Sequence, residues 1–323
     1  MYLNKLAAAA AIIVFALGTG IDALAQSYPD RPVRVIVPWP PGGSTDTLGR
    51  IVGQRLTQLL GQNVVIDNRG GGAGAIGIEA ASRATPDGYT VGIIEVAHAL
   101  LPTTRARLPY NLMQDFTPIT TIGTSPMIVF VGVTLPAKTF SKLIALARTK
   151  QGLLMAHTGQ GSISHLTSEL LQQRTGTKFT QVGYKGAGPA FIELAGAQVQ
   201  AYAATLASGS ATLATGRIAA LGVAGRKRLD ALPGVPTIAE SGVPDFLVEQ
   251  WWGVVAPART PPAALARLHR DIVAAVNDPP VRKRISDLAV EPDTNTPQAF
   301  RTFLEAELKR WARVARDAGI QPE

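Results

Sequence analysis

Two rhythms of apolar residues replace one another along the chain. Val33–Val37 is a β-branched run of the kind that forms a strand, and the turn-rich Pro38-Trp39-Pro40-Pro41-Gly42-Gly43 stops it. Leu48, Ile51, Val52, Leu56, Leu59 and Leu60 then recur at spacings of three and four, which predicts a helix that Gly61 ends. Residues 64–66 predict a second strand, followed by a glycine-rich turn and a short helix around 78–83 that Pro86-Asp87-Gly88 closes. Residues 89–96 predict a third strand. Strand, helix, strand, helix at this spacing argues for a parallel sheet of βαβ units. Residues 119–133 read as extended, Phe140–Thr149 as helix, 153–157 as strand, 158–164 as a glycine and serine loop, and 165–174 as helix. That repetition of the opening grammar predicts a second α/β domain, continued by β-like runs at 198–204 and 219–223. After Trp251-Trp252-Gly253-Val254-Val255-Ala256-Pro257 the pattern is helical alone, at 262–276, 280–288 and 297–318, each with proline near its first turn. In the last of these, Phe300, Phe303, Leu304, Leu308, Trp311 and Ala315 form one apolar stripe. Arg301, Lys309, Arg313 and Arg316 lie largely off it, as in a docked helix with a solvated basic face.

The N-terminus adds a compartment. Lys5 precedes an apolar run from Leu6 to Leu17, then Gly18 to Gly20, then Ala23-Leu24-Ala25, the order of a secretory leader cut before Gln26. The run is short of the roughly 18–20 residues that span a bilayer. The chain then reads as a periplasmic protein. Its 323 residues suit two domains, and 46% hydrophobic with 17% charged residues excludes both disorder and a polytopic membrane protein. Without cysteine there is no disulfide, thiolate metal site or cysteine nucleophile. The net charge of +8 favours an anionic partner. Export argues against nucleic acid, and the basic clusters Arg226-Lys227-Arg228 and Arg282-Lys283-Arg284 lack the interleaved aromatics that nucleic-acid binding wants.

Most catalytic patterns fail. There is no GxxxxGK[ST], no GxSxG and no HExxH, and no other spacing suggests a metal site. Ser162 and His165 stand three apart, but no third orienting group accompanies them, so an exported α/β hydrolase acting on a small acid or ester is the alternative reading. Gly72-x-Gly74-x-x-Gly77, with Glu95 beyond it, outlines a dinucleotide fingerprint. The short helix and the exported location favour a plain glycine-rich connection that lets helix and strand pack closely. No cofactor is expected.

Two strand-to-helix turns carry a stronger signal. Pro40-Pro41-Gly42-Gly43-Ser44-Thr45-Asp46 and Thr158-Gly159-Gln160-Gly161-Ser162-Ile163-Ser164 each offer free backbone N–H groups, hydroxyls and the positive end of a helix dipole to a carboxylate or phosphate. In a parallel sheet both lie at the carboxyl ends of strands, where ligands bind. Ser44, Thr45, Ser162 and Ser164 also suit plain helix N-caps. Two such turns in two domains suggest a cleft that holds a small acid at both ends.

Ordered matches over the mature chain resemble the Bug family, the extracytoplasmic solute receptors of tripartite tricarboxylate transporters. They begin with Tyr28-Pro29-Asp30-Arg31-Pro32-Val33-Arg34 and the segment from Val37 to Asp46. They continue through Asn68-Arg69, Pro86-Asp87-Gly88-Tyr89, Leu108-Pro109-Tyr110, Asp115-Phe116-Thr117-Pro118, Gly161-Ser162 and His165-Leu166. Tyr184-Lys185-Gly186, Leu232-Pro233-Gly234-Val235-Pro236-Thr237, Trp251-Trp252-Gly253 and Ala256-Pro257 complete them. The resemblance implies an α/β two-domain periplasmic binding protein of the Venus-flytrap type with two crossover hinge segments, no catalysis, a small carboxylate ligand and membrane transporter subunits as partners of a monomer. The strand pattern puts the crossovers near Thr124 and Gln250. That makes residues 1–25 a leader, 26–124 with 251–323 the first domain, and 125–250 the second.

By the same resemblance, Pro41, Gly42, Gly43, Ser44, Thr45 and Asp46 hold one ligand carboxylate, with Asp46 either orienting its own loop or stabilising the helix start. Thr158, Gly161, Ser162 and Ser164 take the other end. Tyr184 and Lys185 match a further cleft motif, although Lys185 also suits open solvent. His98, Ala204 and Thr205 complete the candidate set. His157 stands where the family usually has serine, either reading a polar group or filling space. The family often has acids near Ala204, and their absence argues against an amino-acid ligand.

Overall fold

The computed structural model describes residues 28–149 and 152–317. The expected leader and its cleavage site lie outside these. Among the described residues no helix is long and apolar enough to cross a membrane.

The first sheet is built from β1 (Val33–Val37), β2 (Val64–Asn68), β3 (Thr90–Glu95), β4 (Phe116–Pro126), β10 (Glu249–Pro257) and the two-residue β11 (Glu291–Pro292), in the order β11-β4-β10-β3-β1-β2. The second contains β5 (Ile128–Gly132), β6 (Leu154–His157), β7 (Thr180–Gly183), β8 (Ala201–Ala204) and β9 (Ile218–Val223), in the order β7-β6-β8-β5-β9. Each sheet has a parallel trio, β2-β1-β3 and β7-β6-β8, as βαβ units require. The sheets are not parallel throughout. β10 runs antiparallel between β3 and β4, and β5 runs antiparallel between β8 and β9.

Ten helices are described: α1 (Ser44–Leu60), α2 (Ala75–Ser82), α3 (Val96–Thr104), α4 (Phe140–Thr149), α5 (Ile163–Thr175), α6 (Ala187–Ala195), α7 (Leu206–Ala214), α8 (Pro262–Asn277), α9 (Pro279–Ser286) and α10 (Pro297–Asp317). α1 buries Leu48, Ile51, Val52, Leu56 and Leu60 on one stripe and ends where Gly61 turns left-handed at φ 68° and returns its N–H to Thr57. The third strand stops at Glu95, and α3, which its sequence pattern did not signal, begins at once. α6 and α7 are likewise new. In the glycine-rich connection, a Cβ on Gly77 would stand 2.6 Å from both the Arg69 carbonyl oxygen and Pro38 Cα, so this glycine serves close packing of α2.

The chain passes from the first sheet to the second at Met127, between β4 and β5, and returns before Glu249. The passages are bonded side by side: Met127 N–H donates to the Val248 carbonyl (2.9 Å), Ala224 N–H to that of Met127 (2.8 Å), and Val248 N–H to that of Ala224 (3.0 Å). β10 buries Trp251 and Trp252 in the first sheet. The C-terminal helices also pack there, α8 against α1 and β4, and α10 against α3 and β4. Phe300, Leu304, Trp311 and Ala315 form the buried stripe of α10.

Candidate ligand-binding cleft

The carboxyl ends of the two parallel trios face one gap. Its empty space, the opening to solvent included, is ≈ 430 Å³. Gly43, Ser44, Thr45, Glu95, Trp39 and Gln250 line it from the first sheet's side. Thr158, Ile163, Ser164, Ala187, Tyr202, Ala203, Ala204, Thr205 and Ser208 line it from the second, with Met127 between. Five helices, α1, α3, α5, α6 and α7, begin at or next to these residues. The positive ends of their dipoles each favour a nearby anion by about 0.3–1 kcal/mol without a lysine or arginine in the lining, although the Glu95 carboxyl in that lining already caps α3.

No side chain within the turn before α1 caps the helix. The N-cap is Gly43, which has no side chain to offer. Ser44 and Thr45 are therefore not caps: Ser44 N–H donates across the gap to Ser208 Oγ (3.0 Å), and Thr45 Oγ1 donates to Glu95. Asp46 lies behind the turn. It accepts from Gly42 N–H (3.0 Å), Asn68 Nδ2 (2.9 Å) and Arg50, bracing the loop from below. Burial raises its pKa, but these hydrogen bonds and the Arg50 charge outweigh that and hold the carboxyl below its ordinary value. Pro41 and Gly42 are exposed and do not line the gap.

The second turn is capped internally. Ser162 is the N-cap of α5 and accepts from His165 N–H (3.3 Å), and its Oγ lies 3.0 Å from Ser164 Oγ. Ser164 Oγ accepts from Thr158 N–H (3.0 Å), folding the loop so that Thr158 and Ser164 reach the gap. Gly161, at φ 80°, comes so close to the first lobe that a Cβ would stand 2.9 Å from Thr104 Oγ1. His165 Nδ1 faces Gly161 N–H, not Ser162 Oγ, so Ser162 and His165 lack the contact of nucleophile and base.

His157 accepts from Gly159 N–H (3.1 Å), and its ring centroid lies 4.8 Å from that of His165, the planes tilted by 46°. It supports the loop without lining the gap; burial and the neighbouring histidine both lower its pKa. His98 is fully buried at the start of α3, where Nδ1 accepts Glu95 N–H (3.0 Å) and Nε2 packs beside Gly74. Tyr184 and Lys185 join β7 to α6 outside the gap lining, with Lys185 exposed. Ala204 and Thr205 line the gap at the end of β8.

Several lining residues escaped the sequence reading. Tyr202 and Gln250 sit within strands, and Trp39 looked like turn punctuation. Glu95 was visible only as the far end of the dinucleotide outline. Its position at the carboxyl end of a parallel strand was the available signal.

A model of the tripartite tricarboxylate transporter family receptors matches residues 48–320. The protein BugT of Bordetella pertussis is 33% identical, over 99% of each chain. Among solved structures, an R. palustris protein, Rpa4515, with adipate is 34% identical, with a TM-score of 0.88 over 92% of this chain and all of that one. MatC from Rhodopseudomonas palustris with bound malate is 29% identical, with a TM-score of 0.82 over 89% of this chain and all of that one.

Proposed function

From the premise that this chain belongs to the tripartite tricarboxylate transporter receptor family, we propose that it is a periplasmic solute receptor that closes on a small carboxylic acid and presents it to a membrane transporter. One observation carries the reading: the two anion-ready turns, Gly43 to Thr45 and Thr158 to Ser164, come from different lobes and open on the same gap. Adipate and malate in two structural relatives support a carboxylate of that size.

In this reading residues 26–124 with 251–323 form one rigid lobe and 125–250 the other. The paired passages at Met127 and Val248 act as the hinge, and the protein works as a monomer. Asp46 shapes the first turn, and Ser162 and His157 shape the second. The ligand touches the N–H groups and hydroxyls that these residues position.

The test is a melting-temperature and calorimetric screen of the purified protein against mono-, di- and tricarboxylates and aromatic acids. A ligand that binds only the folded state stabilises it by about 2.7 kcal/mol at a hundredfold excess over Kd. At least one acid should raise Tm and release or absorb heat. A full screen with neither signal would overturn the proposal.

A further inference from the structure

β8 has alanine at 201, 203 and 204, so Tyr202 is its one polar side chain. The ring is wedged in an aromatic cluster: it meets Phe191 edge-on with centroids 4.9 Å apart, and Phe191 meets Phe130 in the same way at 5.5 Å. Tyr202 is 1% exposed, yet it lines the gap. A tyrosine buried to this degree ordinarily hydrogen-bonds its hydroxyl to the protein. Here none of the described residues does so. Nor is the oxygen shut off from solvent, as the unpartnered hydroxyl of Tyr110 is. The small exposure left to Tyr202 therefore lies at Oη, on the wall of the gap.

Burial pushes the phenol pKa up, and the charge of Glu95 on the opposite lobe pushes it the same way, so the hydroxyl keeps its hydrogen at neutral pH. Glu95 acts on it through charge alone. Its carboxylate already receives the Thr45 hydroxyl and the His98 N–H. Tyr202 thus presents a neutral donor to the gap, on a ring whose packing phenylalanine would reproduce.

We propose, on the basis of the receptor reading above, that Tyr202 is a ligand-binding residue whose Oη donates a hydrogen bond to a carboxylate oxygen of the bound acid. The ring is held before the ligand arrives, so binding costs little side-chain freedom, and a hydrogen bond to a charged acceptor is stronger than one to a neutral group. This contact comes from the strand floor of the second lobe, apart from the N–H groups at the start of α5.

The substitution Tyr202→Phe removes the oxygen and keeps the ring. Because the hydroxyl has no protein partner, the ligand-free variant should melt at the wild-type temperature or above it. Calorimetry on both purified proteins should compare succinate, malate, glutarate, adipate, citrate and benzoate. The acid that binds wild type most tightly should bind Tyr202→Phe at least tenfold more weakly, about 1.4 kcal/mol. A loss smaller than tenfold shows that the hydroxyl does not hold the acid, and a lower melting temperature of the ligand-free variant shows that it serves the fold. Either result overturns the assignment and leaves the receptor reading standing. Absence of binding to wild type by every acid overturns both.

Discussion

Glu95 and His98 stand three residues apart, joined by the Glu95 N–H, and both are buried in an environment that disfavours charge. Burial pushes Glu95 from 4.5 up to about 7, against hydrogen bonds from Thr45, Trp39, Gln250 and Trp252 that favour its ionised form. The other titratable groups at its side are Tyr202, across the gap, and His98 behind it. Burial lowers His98 from 6.5 to about 4. Below pH 4.5 Glu95 is protonated whether folded or unfolded. As pH rises to 7 the unfolded chain releases that proton first, so stability falls by on the order of 3 kcal/mol. His98 works in the other direction: between pH 6.5 and 4 the unfolded chain gains a proton that the folded chain refuses, so stability falls as pH falls, by a similar amount. Over most of that window the two slopes cancel. Replacing Glu95 by Gln should expose the difference. The melting temperature of Glu95→Gln should match wild type near pH 4.5 and exceed it by several degrees at pH 8, and a difference independent of pH would show that Glu95 ionises without penalty.

The contrast between the two turns at the gap belongs to the element scale. α5 has a serine cap, whereas α1 begins at Gly43, which caps nothing, and the Ser44 N–H of its first turn is met only by Ser208 Oγ from the other side of the gap. Gly43 has an ordinary φ of −85°, and a Cβ there meets only Ala187 Cβ, at 3.9 Å. Gly43→Asp is therefore sterically allowed and would cap α1 with its own carboxylate. Its Tm without ligand should equal or exceed that of wild type, while the affinity for any acid that binds should fall at least tenfold, about 1.4 kcal/mol, because an internal anion occupies the site. Retained affinity would remove the α1 turn from the binding surface. Both turns were legible in the sequence because glycine and hydroxyl residues between a strand and an amphipathic helix are a local signal. α3 was not, because Val96 to Leu101 is buried on every side and has no period to separate it from the strand before it. α6 and α7 were hidden by alanine, glycine and serine, which carry little amphipathic contrast. Gln250 and Trp252 meet Glu95 only through the antiparallel placement of β10 beside β3, a long-range pairing that no local pattern encodes.

Across the whole molecule, the net charge of +8 and the lining of the gap, which holds no lysine or arginine, have separate roles. Surface lysines and arginines can speed the arrival of an anion, but salt screens them. In the proposed receptor, retention would fall to N–H and hydroxyl groups that reach the ligand when both lobes surround it. In the present arrangement the lobes already touch: Ser44 N–H meets Ser208 Oγ across the gap, and Pro40 packs so closely on Gly186 that a Cβ there would be 3.1 Å from its ring. The passages at Met127 and Val248 are narrow and regularly bonded, so a rotation about them would leave each sheet intact. An acid that binds both lobes shifts the population to the closed form by as much as it prefers that form. Small-angle scattering should give a radius of gyration near the compact-chain value of about 20 Å at saturating acid, and a larger one without it. Identical scattering curves in the two conditions, with binding confirmed by calorimetry, would show that the protein holds its ligand in a preformed gap and that the paired passages are not a hinge.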